Sequence, residues 1–366
     1  RQNIKAASPS YTQQQDGYRR QLARGLRLGR IATRVGGVGA APCLPPLTSD
    51  GITRGSTPGG GVKNMMHCVV LFIYKRPDHT KKIIEKINQI KLKKLYVIGD
   101  GWKSKDDKIL VKETRELINN LPFETKKFFF DNNIGLRKNA ELGLNYVFNS
   151  EEKAIILEDD TLPSISFFQF CDDLLKRYEN NKEVSMITGS NFKTQITLNL
   201  KEDYFFSKYP CFWGWATWKD RWDILFDNKM KKWAEFKENN FYKNFNNIRE
   251  LKYWEERFNF HQKNLNLGTW DYPFFLSHFF YKKSAIISKK NLIKNIGYDM
   301  PTSQNPKKTS MLDLYELSFP LQHPTNFNLN EEYNDFCSKK LFSKSKLLWR
   351  IKQKLRKILI FFKLIK

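Results

Sequence analysis

Between Cys68 and Asp160 the chain alternates four short apolar runs of strand type with three stretches of helical periodicity, and this alternation restricts the fold more than any other feature. The runs are Cys68–Tyr74, Leu95–Trp102, Lys127–Phe130 and Ala154–Asp160. The stretches between them carry Ile83, Ile84, Ile87 and Ile90, then a helix near 106–119, then a helix over Leu136–Phe148. Pro77 suits the first turn of the first helix, where a missing N–H costs nothing. Strands separated by helices of this length predict an α/β, Rossmann-like architecture, a mostly parallel sheet flanked by helices. Ligands of such sheets bind just beyond the carboxyl ends of the strands.

The fourth run ends where that rule places ligands. Ala154, Ile155, Ile156 and Leu157 read as a strand buried on both faces, and Glu158, Asp159 and Asp160 follow at once. Adjacent carboxylates raise one another's pKa unless a cation sits among them, and hard oxygen ligands suit Mg²⁺ or Mn²⁺. A metal there could hold a diphosphate. The plain alternative is a solvated acidic turn. Two further strand ends carry ligand-type residues, Arg76 after the first and Asp100 after the second. An arginine can meet phosphate or base, and an aspartate can accept from base or ribose.

Charge excludes one class of partner. The net charge is +25, but residues 1–64 hold ten Lys/Arg against two Asp, and residues 339–366 hold eleven Lys/Arg and no acid. The 274 residues between carry only +6, so nucleic acid is not an expected partner of the body. Residues 1–64, rich in Gly, Ser, Thr, Pro and Arg, read as a disordered or non-native extension, with Met65-Met66 a plausible start; Arg19–Arg34 could form a short basic helix or a transit-like peptide. Five scattered cysteines without a CxxC spacing argue against a zinc cage or a disulfide framework and for a reducing compartment. No apolar run reaches the roughly 18 residues of a membrane span.

Beyond residue 160 the pattern continues with a helix over Phe167–Tyr178 and a strand and loop over Val184–Asn191. An aromatic segment follows, Tyr209–Trp218, with Arg221 and Trp222 after it. Its indoles suit either a core or a platform for sugar rings, and both readings stay open. Helical spacing returns over 228–265, where His261 is expected as a packing residue. Asp271 is a lone carboxylate between Trp270 and Tyr272, a setting that raises a pKa and suits a general base, or else a helix cap. Ser284–Ser288 reads as a strand, and Asn291–Tyr298 leads to a loop at 299–308. The last stretch, 344–365, is an amphipathic helix with Leu347, Leu348, Ile351, Leu355, Ile358, Leu359 and Phe362 on one face and basic residues on the rest. It suits an anionic membrane surface, with an oligomer contact or a docked core helix as the alternative.

Four segments together resemble the GT-A glycosyltransferases, and specifically bacterial relatives of the N-acetylglucosaminyltransferase I family. They are Leu157–Pro163, Phe212–Trp218, Thr269–Tyr272 and Asn291–Gly297, and the likeness spans Cys68 to about Asp299. The resemblance implies transfer of a sugar from a nucleotide diphosphate donor, a UDP-sugar favoured, with inversion at the anomeric carbon. It implies that Asp160 ligands Mn²⁺ or Mg²⁺, that Glu158 and Asp159 hold the donor's sugar and ribose, and that Arg76 and Asp100 occupy uridine-side positions. Arg137 and Lys138 fall where similar proteins place basic residues near the phosphates. Asp271 resembles the general base, and Trp213, Trp215, Trp218 and Trp270 would form the acceptor platform. The loop Gly297–Gln304 departs from the family pattern, which carries a histidine there.

The resulting expectation is an extension over 1–64, a GT-A domain over 65–338 with a nucleotide-sugar half (65–192) and an acceptor half (193–338), and a membrane-association helix over 339–366. The protein would work in the cytoplasm, peripheral to the inner face of the membrane, on a glycan or glycolipid acceptor such as lipopolysaccharide or capsule. Two alternatives remain: a sugar nucleotidyltransferase, against which stands the lack of a Gly-rich basic phosphate loop near the first strand, and a non-catalytic glycan- or membrane-binding protein.

Overall fold

The computed structural model describes residues 67–265, 267–297 and 312–343. The extension 1–64, the loop at 299–308 and the basic helix at 344–365 lie outside the described residues.

Each expected strand of the first half forms. β1 is Val69–Ile73, β2 Lys94–Gly99, β3 Glu124–Phe129 and β4 Lys153–Glu158, separated by α1 (Pro77–Ile87), α2 (Lys105–Glu116) and α3 (Leu136–Phe148). Pro77 does open α1, and Ile83, Ile84 and Ile87 face the sheet. Each buried isoleucine contributes about 1.5–3 kcal/mol relative to exposure. Ser104 caps α2 by accepting from the Asp107 amide. Gly135, at φ 85°, turns the chain from β3 into α3 in a conformation that favours glycine.

After β4 come β5 (Thr161–Pro163), α4 (Ile165–Arg177), β6 (Val184–Thr188), β7 (Tyr204–Ser207) and β8 (Trp215–Trp218). Helices α5 (Lys219–Leu225), α6 (Lys232–Asn239), α7 (Ile248–Lys263) and α8 (Asp271–Phe280) lead to β9 (Ser284–Ser288), β10 (Ile293–Asn295) and α9 (Glu331–Phe336). Eight strands form one mixed sheet in the order β3-β2-β1-β4-β8-β6-β9-β7. β3, β2, β1 and β4 run parallel, β8 is antiparallel to both β4 and β6, β9 is parallel to β6, and β7 closes the edge antiparallel. The fold is thus α/β with a mostly parallel, Rossmann-like sheet, and the strand order reverses direction between β1 and β4.

Apolar clusters cover both faces of the sheet, and the aromatic segment lies in them. Trp215 sits with Phe212, Phe274 and Trp270 on one face, whereas Ala216 and Trp218 sit on the other. β5 and β10 pair as a separate antiparallel ladder, with Thr161 opposite Asn295. This small ladder brings the end of β10 beside the acidic turn.

Candidate functional site

A cleft of about 390 Å³ opens at the carboxyl ends of β1, β2 and β4, where the strand order reverses. Tyr74, Arg76, Asp100, Asn133, Asn139 and Glu158–Asp160 contribute to its walls. Two hollows of similar size lie elsewhere, beside Lys208 and below β1 and β4. Their charges are largely paired within the protein, as in Lys339–Asp335 and Lys94–Glu151, both at 2.8 Å.

The acidic turn is held from both sides. Glu158 donates its amide to Thr161 Oγ1 at 2.8 Å, and the Thr161 hydroxyl donates back to the Glu158 carbonyl at 2.9 Å. The Asp160 carbonyl accepts from the Ile296 amide at 2.8 Å. Gly297 packs so closely that a Cβ there would stand 2.5 Å from Asp160 Oδ2. The turn therefore has little freedom to spread its charges. Arg76 compensates, with Nη1 donating to Asp159 Oδ1 at 2.8 Å and to Asp160 Oδ2 at 2.7 Å. Asp159 Oδ2 accepts from the Tyr74 amide at 3.0 Å. The β1–α1 loop that carries Arg76 is itself clamped, since Asp107 of α2 accepts from the Tyr74 hydroxyl and the Lys75 ammonium.

Electrostatics follow from this crowding. Burial, with Asp160, Asp159 and Asp271 adding to it, pushes Glu158 well above the carboxylate range, opposed by a hydrogen bond from Trp270. Burial pushes Asp159 up to about 6 even with the Arg76 guanidinium beside it. Asp160 Oδ1 is buried and has no partner among the described residues. Among those residues no three His, Cys, Asp or Glu side chains converge as a protein-only metal cage requires. One carboxylate oxygen without a donor beside a crowded acidic turn fits a hard cation whose remaining ligands are phosphate and water oxygens.

Asp271 is the first residue of α8 and faces the same acidic group, with its charge acting on Glu158. Thr269 Oγ1 and the Tyr272 amide both donate to its Oδ1. Burial raises its pKa, and the Thr269 hydrogen bond opposes that rise. A carboxylate so placed can accept a proton.

The remaining expected residues divide. Asp100 lines the cleft, but its oxygens accept from the amides of Gly101, Ile134 and Gly135 and from Asn133 Nδ2, at 2.8–3.0 Å. It ties the β2 end to the turn into α3. Arg137 is buried and faces away from the cleft lining: Nε and Nη2 donate to Asn228, and Nη1 donates to the His261 carbonyl. The reading of Arg137 as a phosphate contact is corrected, because its place on α3 points it at the α7 side of the protein. Lys138, the next residue, is half-buried, and its charge acts on Glu141.

The tryptophans divide too. Trp215 and Trp218 have at most 2 % of their surface exposed and cannot stack on a sugar. Trp215 stacks on Trp270 at 5.5 Å, and the Trp218 indole donates to the Leu175 carbonyl at 3.0 Å. The platform reading is corrected for both, since β8 is a central strand covered on each face. Trp270 is buried and joins the core to Glu158. Trp213 alone of the four stays half-buried, edge-on to Phe192. His261 is buried and stacks on Tyr272 at 4.2 Å, in the packing role expected of it.

Two cleft residues and one neighbour of Arg76 had no sequence signal strong enough to single them out. Tyr74 contributes a backbone amide, Asn139 a buried carboxamide, and His79 an imidazole one turn after Arg76 that feels the charges of Arg76 and Asp160.

No family model matches the chain, and no curated protein matches it. Among solved structures, a UDP-glucose pyrophosphorylase complexed with UDP-glucose overlaps 43% of this chain and 79% of its own at 8% identity, with a TM-score of 0.26. A likeness of that degree is too slight to bear on what this chain does.

Proposed function

We propose that the protein is a metal-dependent, inverting glycosyltransferase that moves a sugar from a nucleotide diphosphate donor, a UDP-sugar favoured, to a glycan or glycolipid acceptor. The observation that carries this reading is the meeting of the Glu158-Asp159-Asp160 turn with Arg76 at the strand ends, with Asp271 facing them from α8. Asp160, through the oxygen that lacks a partner, would hold Mn²⁺ or Mg²⁺, and Asp159 would stand beside it. When bound, such an ion supplies Lewis acidity that offsets negative charge on a departing diphosphate. The chain's own residues do the rest. Arg76 orients two carboxylates, Glu158 offers a site for a sugar hydroxyl, and Trp270 fixes Glu158. Asp271 takes the proton of the acceptor hydroxyl, and its raised pKa makes it a stronger base than an ordinary carboxylate.

Titration calorimetry of the full chain with UDP, GDP and CMP, with and without Mn²⁺, tests the binding half. UDP binding that needs both Mn²⁺ and Asp160, lost in Asp160→Ala, is the expected result. Metal-dependent donor hydrolysis should persist at a low rate, and Asp271→Asn should lower sugar transfer by about 10²–10⁴-fold while leaving UDP affinity within twofold. Incorporation of labelled pyrophosphate into nucleoside triphosphate would instead assign nucleotidyl transfer. No nucleotide binding under any condition would leave only a glycan- or membrane-binding role.

A further inference from the structure

The cleft contains a polar side chain that the fold itself does not use. Asn139 lies on the inner face of α3 and is 4 % exposed, yet it lines the cleft with Phe72 and Glu158. Its Oδ1 is sealed from solvent and receives no hydrogen bond from any described residue. Leaving a buried acceptor unpaired costs about 1–3 kcal/mol, and other buried amides of this protein avoid that cost. Asn191 Nδ2 donates to Thr197, Ser288 and Lys289, and Asn291 Oδ1 accepts from the Asn191 amide.

Position gives the orphan a direction. Phe72 and Glu158 are partners across the β1–β4 ladder and so point to one face of the sheet. Gly143 brings α3 onto that face, since a Cβ there would stand 3.2 Å from the Phe72 ring. Asn139 is one helical turn earlier, toward the strand ends, on the Glu158 side of the cleft. A carboxamide presents an acceptor and two donors side by side, and its complement is another amide edge.

We propose that Asn139 reads an amide edge of the bound nucleotide sugar, its carboxamide turning about Cβ–Cγ so that Oδ1, sealed in the free protein, accepts a ligand N–H while Nδ2 donates to the adjacent carbonyl. The proposal rests on the nucleotide-sugar reading above. One part of such a ligand carries this chemistry, the imide of a uracil base, whose N3–H stands beside a carbonyl; the N–H and C=O of a trans acetamido group point in opposite directions and offer no such edge. Asn139 is then a specificity residue for the base.

Calorimetry on the full chain with Mn²⁺, comparing wild type with Asn139→Leu and Asn139→Ser, tests this contact. The ligands are UDP, N3-methyl-UDP, UDP-glucose and UDP-N-acetylglucosamine. If the imide is read, both variants bind UDP about tenfold more weakly, and N3-methylation weakens the wild type alone by a similar factor. UDP-glucose and UDP-N-acetylglucosamine should follow UDP in both variants, and a loss confined to UDP-N-acetylglucosamine would overturn the imide contact. Because the free protein loses no bond, Asn139→Leu should melt no lower than wild type. Equal binding of every ligand by all three proteins overturns the proposal alone, as does uniform weakening accompanied by a lower melting temperature. Absence of binding by wild type overturns it together with the nucleotide-sugar reading.

Discussion

Asp271 and Thr269 form the smallest unit of the site with a behaviour of its own. Burial favours the protonated Asp271, and the Thr269 hydroxyl favours the carboxylate. A base acts only after losing its proton, so transfer should fall on the acid side over a pH range above that of an ordinary carboxylate. Thr269→Val removes the opposing donor and should move that acid limb to higher pH, with UDP affinity unchanged; pH profiles of kcat/KM for both proteins check it, and an unmoved limb would show that the hydroxyl does not tune the base. Asp271 was readable as a candidate because a single carboxylate stood between two aromatics. The acidic triplet was readable because it ended an apolar run. Which of Arg137, Lys138 and Asn139 points into the cleft was not, because three adjacent residues of one helix face three directions and only the packing of α3 on β1 and β2 selects among them. Asp100 was found at the right strand end, yet the amides of its own chain already meet its oxygens.

At the scale of elements, the alternation of the first half could be read almost strand by strand, since continuous apolar runs between helical periods have few other solutions. β8 could not. Its Trp-Ala-Thr-Trp sequence is short and indole-rich, and only its antiparallel insertion between β4 and β6 explains why both tryptophans are buried. α8 carries a second element-scale consequence. His278 is fully buried, with Nε2 donating to the Lys208 carbonyl and Nδ1 accepting from Ser185, and burial lowers its pKa from 6.5 to about 3. Below pH 6.5 the unfolded chain takes up a proton that the fold refuses, so this residue's contribution to stability declines as pH falls, by about 1.4 kcal/mol per unit until about pH 3. Between pH 6.5 and 5 the loss from this residue is roughly 2 kcal/mol. Urea midpoints at pH 7.5 and 5 should converge in His278→Gln relative to wild type, even if that variant is weaker at both.

At the scale of the molecule, charge and topology separate two tasks. Residues 344–366 hold nine Lys/Arg and no acid, and no helix among the described residues is long and apolar enough to cross a membrane. We propose that this stretch lies on an anionic bilayer. The full chain should cosediment with phosphatidylglycerol vesicles at low salt and detach as salt rises, and a chain ending at Ser343 should stay in solution with its UDP affinity intact. Retained vesicle binding by the shorter chain would move the contact to the body. The eight-stranded sheet sets the mechanics of that body. Residues on either side of position 192 interleave in it, since β8 lies between β4 and β6 and β9 lies beyond β6. Parting them would mean breaking the backbone ladders on both edges of β8 and the one between β6 and β9 at once. Among the described residues the sheet therefore offers no seam between these halves along which two lobes could swing, and the strand ends that floor the cleft are tied into one hydrogen-bonded surface.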